Sequence, residues 1–229
     1  MKIGIIVAMQ KELDLLLPLL EAPSATTVNG FVFHQGRMGA CDIVAMQCGI
    51  GKVNAAIGTM ILIDLFSPEL IINTGVAGGT GGNAGVLDIV VGERIAYHDV
   101  WCGPGTEWGE AAGCPRYFHT SDMVNSLRCL NEGDTVKHGL VASGDVFVAD
   151  PALVAHIRGL YPDVDAVDME SGAIAQVCYL RDVPFGCMRV ISDTPGADEN
   201  NIAQYNNFWE EAPRHTFDML RHIIHELSE

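Results

Sequence analysis

The stretch Asp165-Ala166-Val167-Asp168-Met169-Glu170-Ser171-Gly172 sets three carboxylates, four with Asp163, directly ahead of the apolar run Ala173-Ile174-Ala175-Gln176-Val177-Cys178. Such a run predicts a buried helix, and carboxylates at its mouth are costly unless something binds or protonates them. Glu170 falls at a strand-to-helix junction, where open α/β sheets place their ligand sites. On spacing alone, a solvated acidic turn before a core helix is the simpler reading. Two further carboxylates change that balance. Glu12 follows a first β-branched run, and Asp193, preceded by Ser192, follows another. Alone, Glu12 reads as a first-turn residue favoured by the helix dipole, and Asp193 as a cap or loop residue. Parallel strands, however, aim their C-terminal ends at one sheet edge. Glu12, Glu170 and Asp193 would converge there, with no cationic residue obviously paired to them. Glycoside cleavage uses such a set: an acid on the leaving group, a base on water, and polar contacts to the sugar hydroxyls.

The elements that must position these groups are legible from periodicity. Residues 2–7 read as a short buried strand, and the leucines at 13, 16, 17 and 20 mark a helical face over 10–20, with Pro18 near its end. Residues 30–35 and 42–47 alternate like an antiparallel pair. Gly49-Ile50-Gly51-Lys52 is a glycine turn into an apolar helix over 53–66. A buried strand over 69–74 opens into Gly75-Val76-Ala77-Gly78-Gly79-Thr80-Gly81-Gly82. Further strands are predicted at 87–97, 138–142, 166–169 and 184–191. Helices are predicted at 121–130 (with Ser121 as N-cap), 151–160 and 171–180. After a polar loop following Asp193, a helix over 205–226 closes the chain, interrupted near Pro213. Residues 99–117, rich in Gly, Pro, Trp and Cys, form a long irregular loop of the functional kind. Strands alternating with helices indicate an α/β class with a largely parallel, partly mixed sheet. No linker or internal repeat divides residues 1–229, so the chain reads as a single domain.

Bulk composition removes several classes of function. At 229 residues and 48% apolar content the chain can bury a sizeable core. With 29 acidic against 13 basic residues, the net charge of −16 and the lack of a basic stripe argue against nucleic acid and anionic membrane partners. The N-terminal apolar run is too short for a signal peptide, and no apolar stretch reaches the roughly 18 residues a membrane span needs. Seven cysteines without a CxxC pair suit reduced thiols and a cytoplasmic location. The eight histidines show no metal-binding spacing beyond His222 and His225, which read as surface residues.

The glycine turns first suggest phosphate binding. Gly49–Lys52 fails as a P-loop, because Met46 and Val53 stand where a glycine and a Ser or Thr are needed. The 75–82 run is not GxGxxG and lacks the acidic ribose ligand at the Rossmann distance. Either a tight strand crossing or close backbone approach to a ligand accounts for it.

Taken together, the motifs carry a resemblance. They are Ile3-Gly4-Ile5-Ile6-Val7-Ala8-Met9 with Glu12, Gly49–Val53, Ile71-Ile72-Asn73-Thr74-Gly75-Val76-Ala77-Gly78-Gly79, Ser143-Gly144-Asp145-Val146-Phe147, Val167-Asp168-Met169-Glu170 and Ile191-Ser192-Asp193. In this order, over essentially the whole chain, the sequence resembles the 5′-methylthioadenosine/S-adenosylhomocysteine nucleosidases of the nucleoside phosphorylase/hydrolase superfamily. The resemblance implies a single-domain three-layer α/β/α sandwich with a central twisted mixed β-sheet. It implies hydrolysis of the N-glycosidic bond of both nucleosides to adenine and a 5-thioribose product, in nucleoside catabolism and methionine salvage, with no metal or organic cofactor. Asp193, steadied by Ser192, would protonate N7 of adenine, and Glu12 would activate water. Glu170, with Met169 beside it, would hold the ribose hydroxyls. Phe147 would stack on adenine and backbone groups at Val148 would read its edge. Met9, Ile50 and Tyr205 would line the pocket for the 5′-thio group, Val76, Ala77 and Gly78 would border the ribose, and Arg189 would support the site. A homodimer is implied, with the 99–117 loop near its interface and Trp101 and Trp108 as candidates for the 5′ end.

The chemistry is self-consistent. Adenine leaves poorly as an anion, and protonation at N7 removes that difficulty; carboxylates then stabilise an oxocarbenium-like transition state. An ordinary Asp titrates near about 3.9, so burial has to hold a proton on Asp193 in the complex. The sequence departs from the family pattern at Val76, where a serine is usual, at Asp168, where a Glu is common, and in the 99–117 loop. The nearest rival is a purine nucleoside phosphorylase, whose phosphate needs cations. The two places where such enzymes bring arginines hold Met9-Gln10-Lys11-Glu12 and Ile72-Asn73-Thr74 instead. Futalosine- and AMP-type nucleoside hydrolases share the carboxylate logic. A non-catalytic nucleoside-binding protein on the same fold would be expected to lose a catalytic carboxylate, and all three are present.

Overall fold

A computed structural model describes residues 1–195, 201–211 and 213–229. Residues 196–200 of the predicted polar loop, and residue 212 beside the predicted break at Pro213, lie outside the described residues.

The chain opens with β1 (Lys2–Val7), buried from Ile3 onward as its unbroken apolar run requires. The predicted 10–20 helix is shorter: α1 (Gln10–Leu16) gives way to a 3₁₀ turn over Leu17–Leu19, because Pro18 supplies no N–H to an α-helical ladder. Strand β2 (Glu21–Val28) escaped the periodicity reading. It is an edge strand, exposed almost throughout, and so carries no apolar alternation. Strands β3 (Phe31–Met38) and β4 (Cys41–Gln47) form the expected antiparallel pair. Helix α2 (Lys52–Phe66) follows.

Strand β5 (Leu70–Gly79) runs through the first five residues of the predicted glycine turn, extended there because β10 and β9 both hydrogen-bond to it. Next come β6 (Ile89–Tyr97), the irregular 99–117 segment and the two-residue β7 (Phe118–His119). The predicted 121–130 helix is two short ones, α3 (Asp122–Asn125) and α4 (Arg128–Asn131), and Ser121 does cap the first. Then follow β8 (Val136–Ser143), α5 (Pro151–Leu160), β9 (Val164–Asp168), α6 (Ser171–Arg181), β10 (Phe185–Asp193), α7 (Asn201–Glu211) and α8 (Pro213–Glu226).

Among the described residues, ten strands make one mixed sheet in the order β10-β6-β8-β9-β5-β1-β4-β3-β2, with β7 on β6. Strand β10 pairs with both β6 and β5, so β5, β10, β6, β8 and β9 close into a ring and the remaining strands extend from it. Strand β1 lies parallel to β4 and β5, and β10 parallel to β5, which brings their C-terminal ends to one edge. On one face α2 and α6 pack through Leu62, Ile63, Ile174 and Cys178 against Ile6, Val44 and Ile71. On the other, α1 and α8 bring Leu13, Leu16, Phe217, Leu220, Ile223 and Ile224 against Ile3, Ile5, Ile43 and Ile72. This is the three-layer α/β/α arrangement. No helix among the described residues is long and apolar enough to cross a membrane.

Candidate active site

At the C-terminal edge of β1 and β10, beside β5 and the end of β9, which runs antiparallel to β5, lies a pocket of about 610 Å³, counting its open mouth. Ala8 and Met9, directly after β1, are on its wall. Strand β5 contributes Val76, Ala77 and Gly78, and β10 contributes Ser192 and Asp193. Asp168, Met169 and Glu170 line it from the β9–α6 junction, Phe147 and Val148 from the loop after β8, Ile50 from the turn before α2, and Tyr205 from α7. Twelve of the fourteen predicted site residues therefore share one wall, while Glu12 and Arg189 are buried behind it. Sequence reasoning did not single out Ala8, Val146 and Val167 as lining; their only signal is adjacency to motif residues.

Glu12 is 1% exposed and held on three sides. Its Oε2 accepts the backbone N–H groups of Ala8 and Met9, each at 2.9 Å, and its Oε1 that of Val76 at 3.0 Å. The first two bonds exist because α1 starts immediately after β1 and Glu12 reaches back over its own first turn. The third needs Gly75. At φ +144° its backbone is in a region L side chains avoid, and a Cβ there would stand 2.3 Å from Glu12 Oε1. Close backbone approach to a carboxylate therefore explains the glycine. Burial raises the Glu12 pKa above its ordinary 4.5, opposed by Arg189 and the three N–H donors.

Asp193 is 2% exposed. Ser192 Oγ lies 2.7 Å from Asp193 Oδ1 and 3.2 Å from the Ala77 carbonyl, fixing the last turn of β10 against β5. Glu170 is also buried; its Oε1 accepts the Gly51 N–H at 2.9 Å. Burial first, then the neighbouring Asp168 charge, push its pKa up to about 7.

The acidic stretch divides by direction. Asp163 is exposed and pairs with Arg94. Asp165 points away from the pocket and accepts the Asn83 N–H at 3.0 Å. Asp168 accepts from the Ser171 N–H and, at 2.9 Å, from its hydroxyl, tying the first residue of α6 back to the end of β9.

The expectation that no cation accompanies the carboxylates is corrected. Arg189, 1% exposed on β10, lies 2.5 Å from Asp168 Oδ2 and also donates to Asn73 Oδ1. Burial works against its charge, but Asp168, Glu170 and Glu12 more than offset that, so it is held ionised. The separation of Arg189 from Asp168 and Asn73 in the sequence hid the partnership. On the apolar side of the pocket, Tyr205 Oη donates to Met9 Sδ at 3.2 Å and meets the Phe147 ring edge-on at 6.0 Å. Trp101 and Trp108 do not line the pocket of their own chain. They stack on each other at 6.1 Å, and Trp108 Nε1 donates to the His98 carbonyl. Among the described residues, no group of three or more His, Cys, Asp or Glu could hold a metal ion.

A family model described as the phosphorylase superfamily matches residues 2–225. The chain belongs to the phosphorylase superfamily. Within it, the chain is 34% identical, over the full length of both, to a 5′-methylthioadenosine/S-adenosylhomocysteine nucleosidase of Bacillus thuringiensis. The structure of the corresponding nucleosidase of Colwellia psychrerythraea in complex with adenine superimposes with a TM-score of 0.92 at 35% identity, covering 99% of this chain and 96% of that one. A futalosine hydrolase mutant of Helicobacter pylori also superimposes, with a TM-score of 0.90 at 28% identity, covering 98% and 99%. The superfamily scaffold is thus shared by relatives whose names differ in substrate.

Proposed function

We propose that this chain hydrolyses the N-glycosidic bond of 5′-methylthioadenosine and S-adenosylhomocysteine, releasing adenine. The observation that carries the reading is one pocket flanked by four buried carboxylates, of which Asp168 is paired with Arg189 and the other three stand in three different settings. Asp193 is tied to a hydroxyl, Glu12 to backbone amides and Glu170 to the Gly51 amide beside an apolar wall. Asp193 delivers a proton to N7 of the base. Glu12, with its lone pairs oriented by three N–H groups and its pKa raised toward the working range of a general base, takes the proton of the attacking water. Glu170 accepts the ribose hydroxyls, with Met169 beside it. Phe147 stacks on adenine, backbone at Val148 meets the base edge, and Met9, Ile50 and Tyr205 enclose the 5′-thio group. Ser192 orients Asp193, and Arg189 holds the charge behind the carboxylates. Water is favoured over phosphate as nucleophile. None of the pocket-lining residues is cationic, and Arg189 is engaged by Asp168 and Asn73.

Residues 1–229 act as one domain, supported by a single sheet that runs from Lys2 to Asp193. Two copies pair, with the α2 face bearing Val53, Ile57 and Met60, and the 99–117 loop, near the interface; these side chains are exposed and apolar. A reducing, cytoplasmic setting fits seven unpaired cysteines.

The test is adenine release from 5′-methylthioadenosine with and without phosphate, beside Asp193→Asn. Phosphate-independent release, reduced about 10²–10⁴-fold or more in the variant, is the expected result. A phosphate requirement would move the chain to the phosphorylases. Release from futalosine alone would reassign the substrate.

A further inference from the structure

Outside the pocket lining, two segments that carry the pocket, the turn before α2 and the loop after β8, are joined in a closed ring through a third, the segment after β6. Lys52 opens α2, Asp99 opens the irregular segment after β6, and Asp145 lies in the turn after β8. Lys52 Nζ is 2.9 and 2.8 Å from the two carboxylate oxygens of Asp99. Asp99 Oδ2 accepts the Asp145 N–H at 2.8 Å, and Asp145 Oδ1 accepts the Lys52 N–H at 2.7 Å. The Lys52 ammonium also lies over the Tyr97 ring, 5.3 Å from its centre. Both ends of the ring lead straight to pocket residues. Gly51, one residue before Lys52, donates its N–H to Glu170. Phe147, two residues after Asp145, is half exposed at the mouth.

Each loop also has an anchor of its own, buried Val148 beside Phe147 and the Gly51 N–H to Glu170, but the tips of the loops do not. Ile50 and Phe147 are 54% and 50% exposed, so burial of their own side chains does not anchor them. The Lys52 and Asp99 side chains are 23% and 22% exposed, sheltered enough for their attraction to outlast the screening that weakens surface pairs.

We propose that Lys52 and Asp99 are positioning residues, a charged clasp that holds the Glu170-binding turn and the Phe147 loop in register with each other across the pocket mouth. The proposal rests on the reading above, in which Glu170 takes the ribose and Phe147 the base. Held in register, the two loops meet the nucleoside already ordered, and its binding does not have to order them.

The experiment compares Asp99→Asn, Lys52→Met, their double variant and Lys52→Arg. KM for 5′-methylthioadenosine rises about tenfold or more in each single neutralising variant, within the range that small misplacements produce. The double variant is no worse than the worse single one, because the two residues act as a unit, and Lys52→Arg stays close to wild type. The acid limb of kcat/KM moves to higher pH, since a looser Gly51 N–H lowers the Glu170 pKa less. Backbone amide hydrogen exchange gives an arm independent of catalysis: in Asp99→Asn, the amides of Gly51, Lys52 and Asp145 exchange faster while those of β1 and β5 do not. Unchanged exchange at those three amides, or faster exchange spread over the whole sheet, overturns the clasp. A wild-type protein that releases no adenine overturns the functional reading instead, and the exchange arm still decides the clasp.

Discussion

Glu170 is the residue at which charge and stability oppose each other most directly. Burial and the adjacent Asp168 charge raise its pKa to about 7 from an ordinary 4.5. An acid with a raised native pKa keeps a proton that the unfolded chain has already lost. The folded state is therefore favoured at low pH, and this advantage fades as pH rises from about 4.5 through about 7. Glu170→Gln cannot titrate. Relative to wild type, the empty variant is expected to be more stable at pH 8 than at pH 5, by about 3 kcal/mol at most, while adenine release falls. Paired Tm values at the two pH values check this; a Tm difference that does not change with pH would mean that Glu170 is ionised in the folded protein throughout. A stability gain accompanied by lost activity is the usual mark of a site that carries strain for function.

At the scale of elements, β9 and β10, both paired with β5, are also joined by a buried ion pair, Arg189 with Asp168. Arg189→Met leaves Asp168 buried beside Glu170 without a counter-charge and should cost about 3–5 kcal/mol. Adding Asp168→Asn should restore a good part of it, and denaturant unfolding of the single and double variants measures the coupling. This pair also shows where sequence reading ran out. The strand ends that bear Glu12, Glu170 and Asp193 were legible, because apolar runs ending in polar residues mark strand termini at a sheet edge. The partnership of Arg189 was not, since it depends on β10 lying beside β5 and close to β9, a matter of topology. Strand β2 was missed for the opposite reason: an exposed edge strand has no buried face to imprint on its sequence. Strand β5 was cut short at Thr74 because glycine reads as a turn, whereas here Gly75 is extended backbone making room for a carboxylate.

At the scale of the whole molecule, the α2 face is the feature without an internal partner among the described residues. Val53, Ile57 and Met60 recur at helical spacing and are 69%, 47% and 39% exposed. With a net charge of −16 working against self-association, such a stripe on a monomer would be costly to leave in water. Ile57→Asp is expected to convert a dimer to monomers, read by sedimentation velocity. A wild-type protein that already sediments as a monomer would remove the pairing proposed through α2.

The two layers flanking the sheet are not completed at the same stage of the chain. The layer of α2 and α6 closes over β1, β4 and β5 using residues that precede β10. The opposite layer depends on α8, whose Phe217, Leu220, Ile223 and Ile224 cover Ile3, Ile5 and Ile43. Glu226, at the end of that helix, also accepts the backbone N–H groups of Arg128 and Cys129. During synthesis α1 covers part of that side of the first strand early, but the cover is completed only when residues past 213 have left the ribosome. Such delayed closure is the situation in which nascent chains need chaperones.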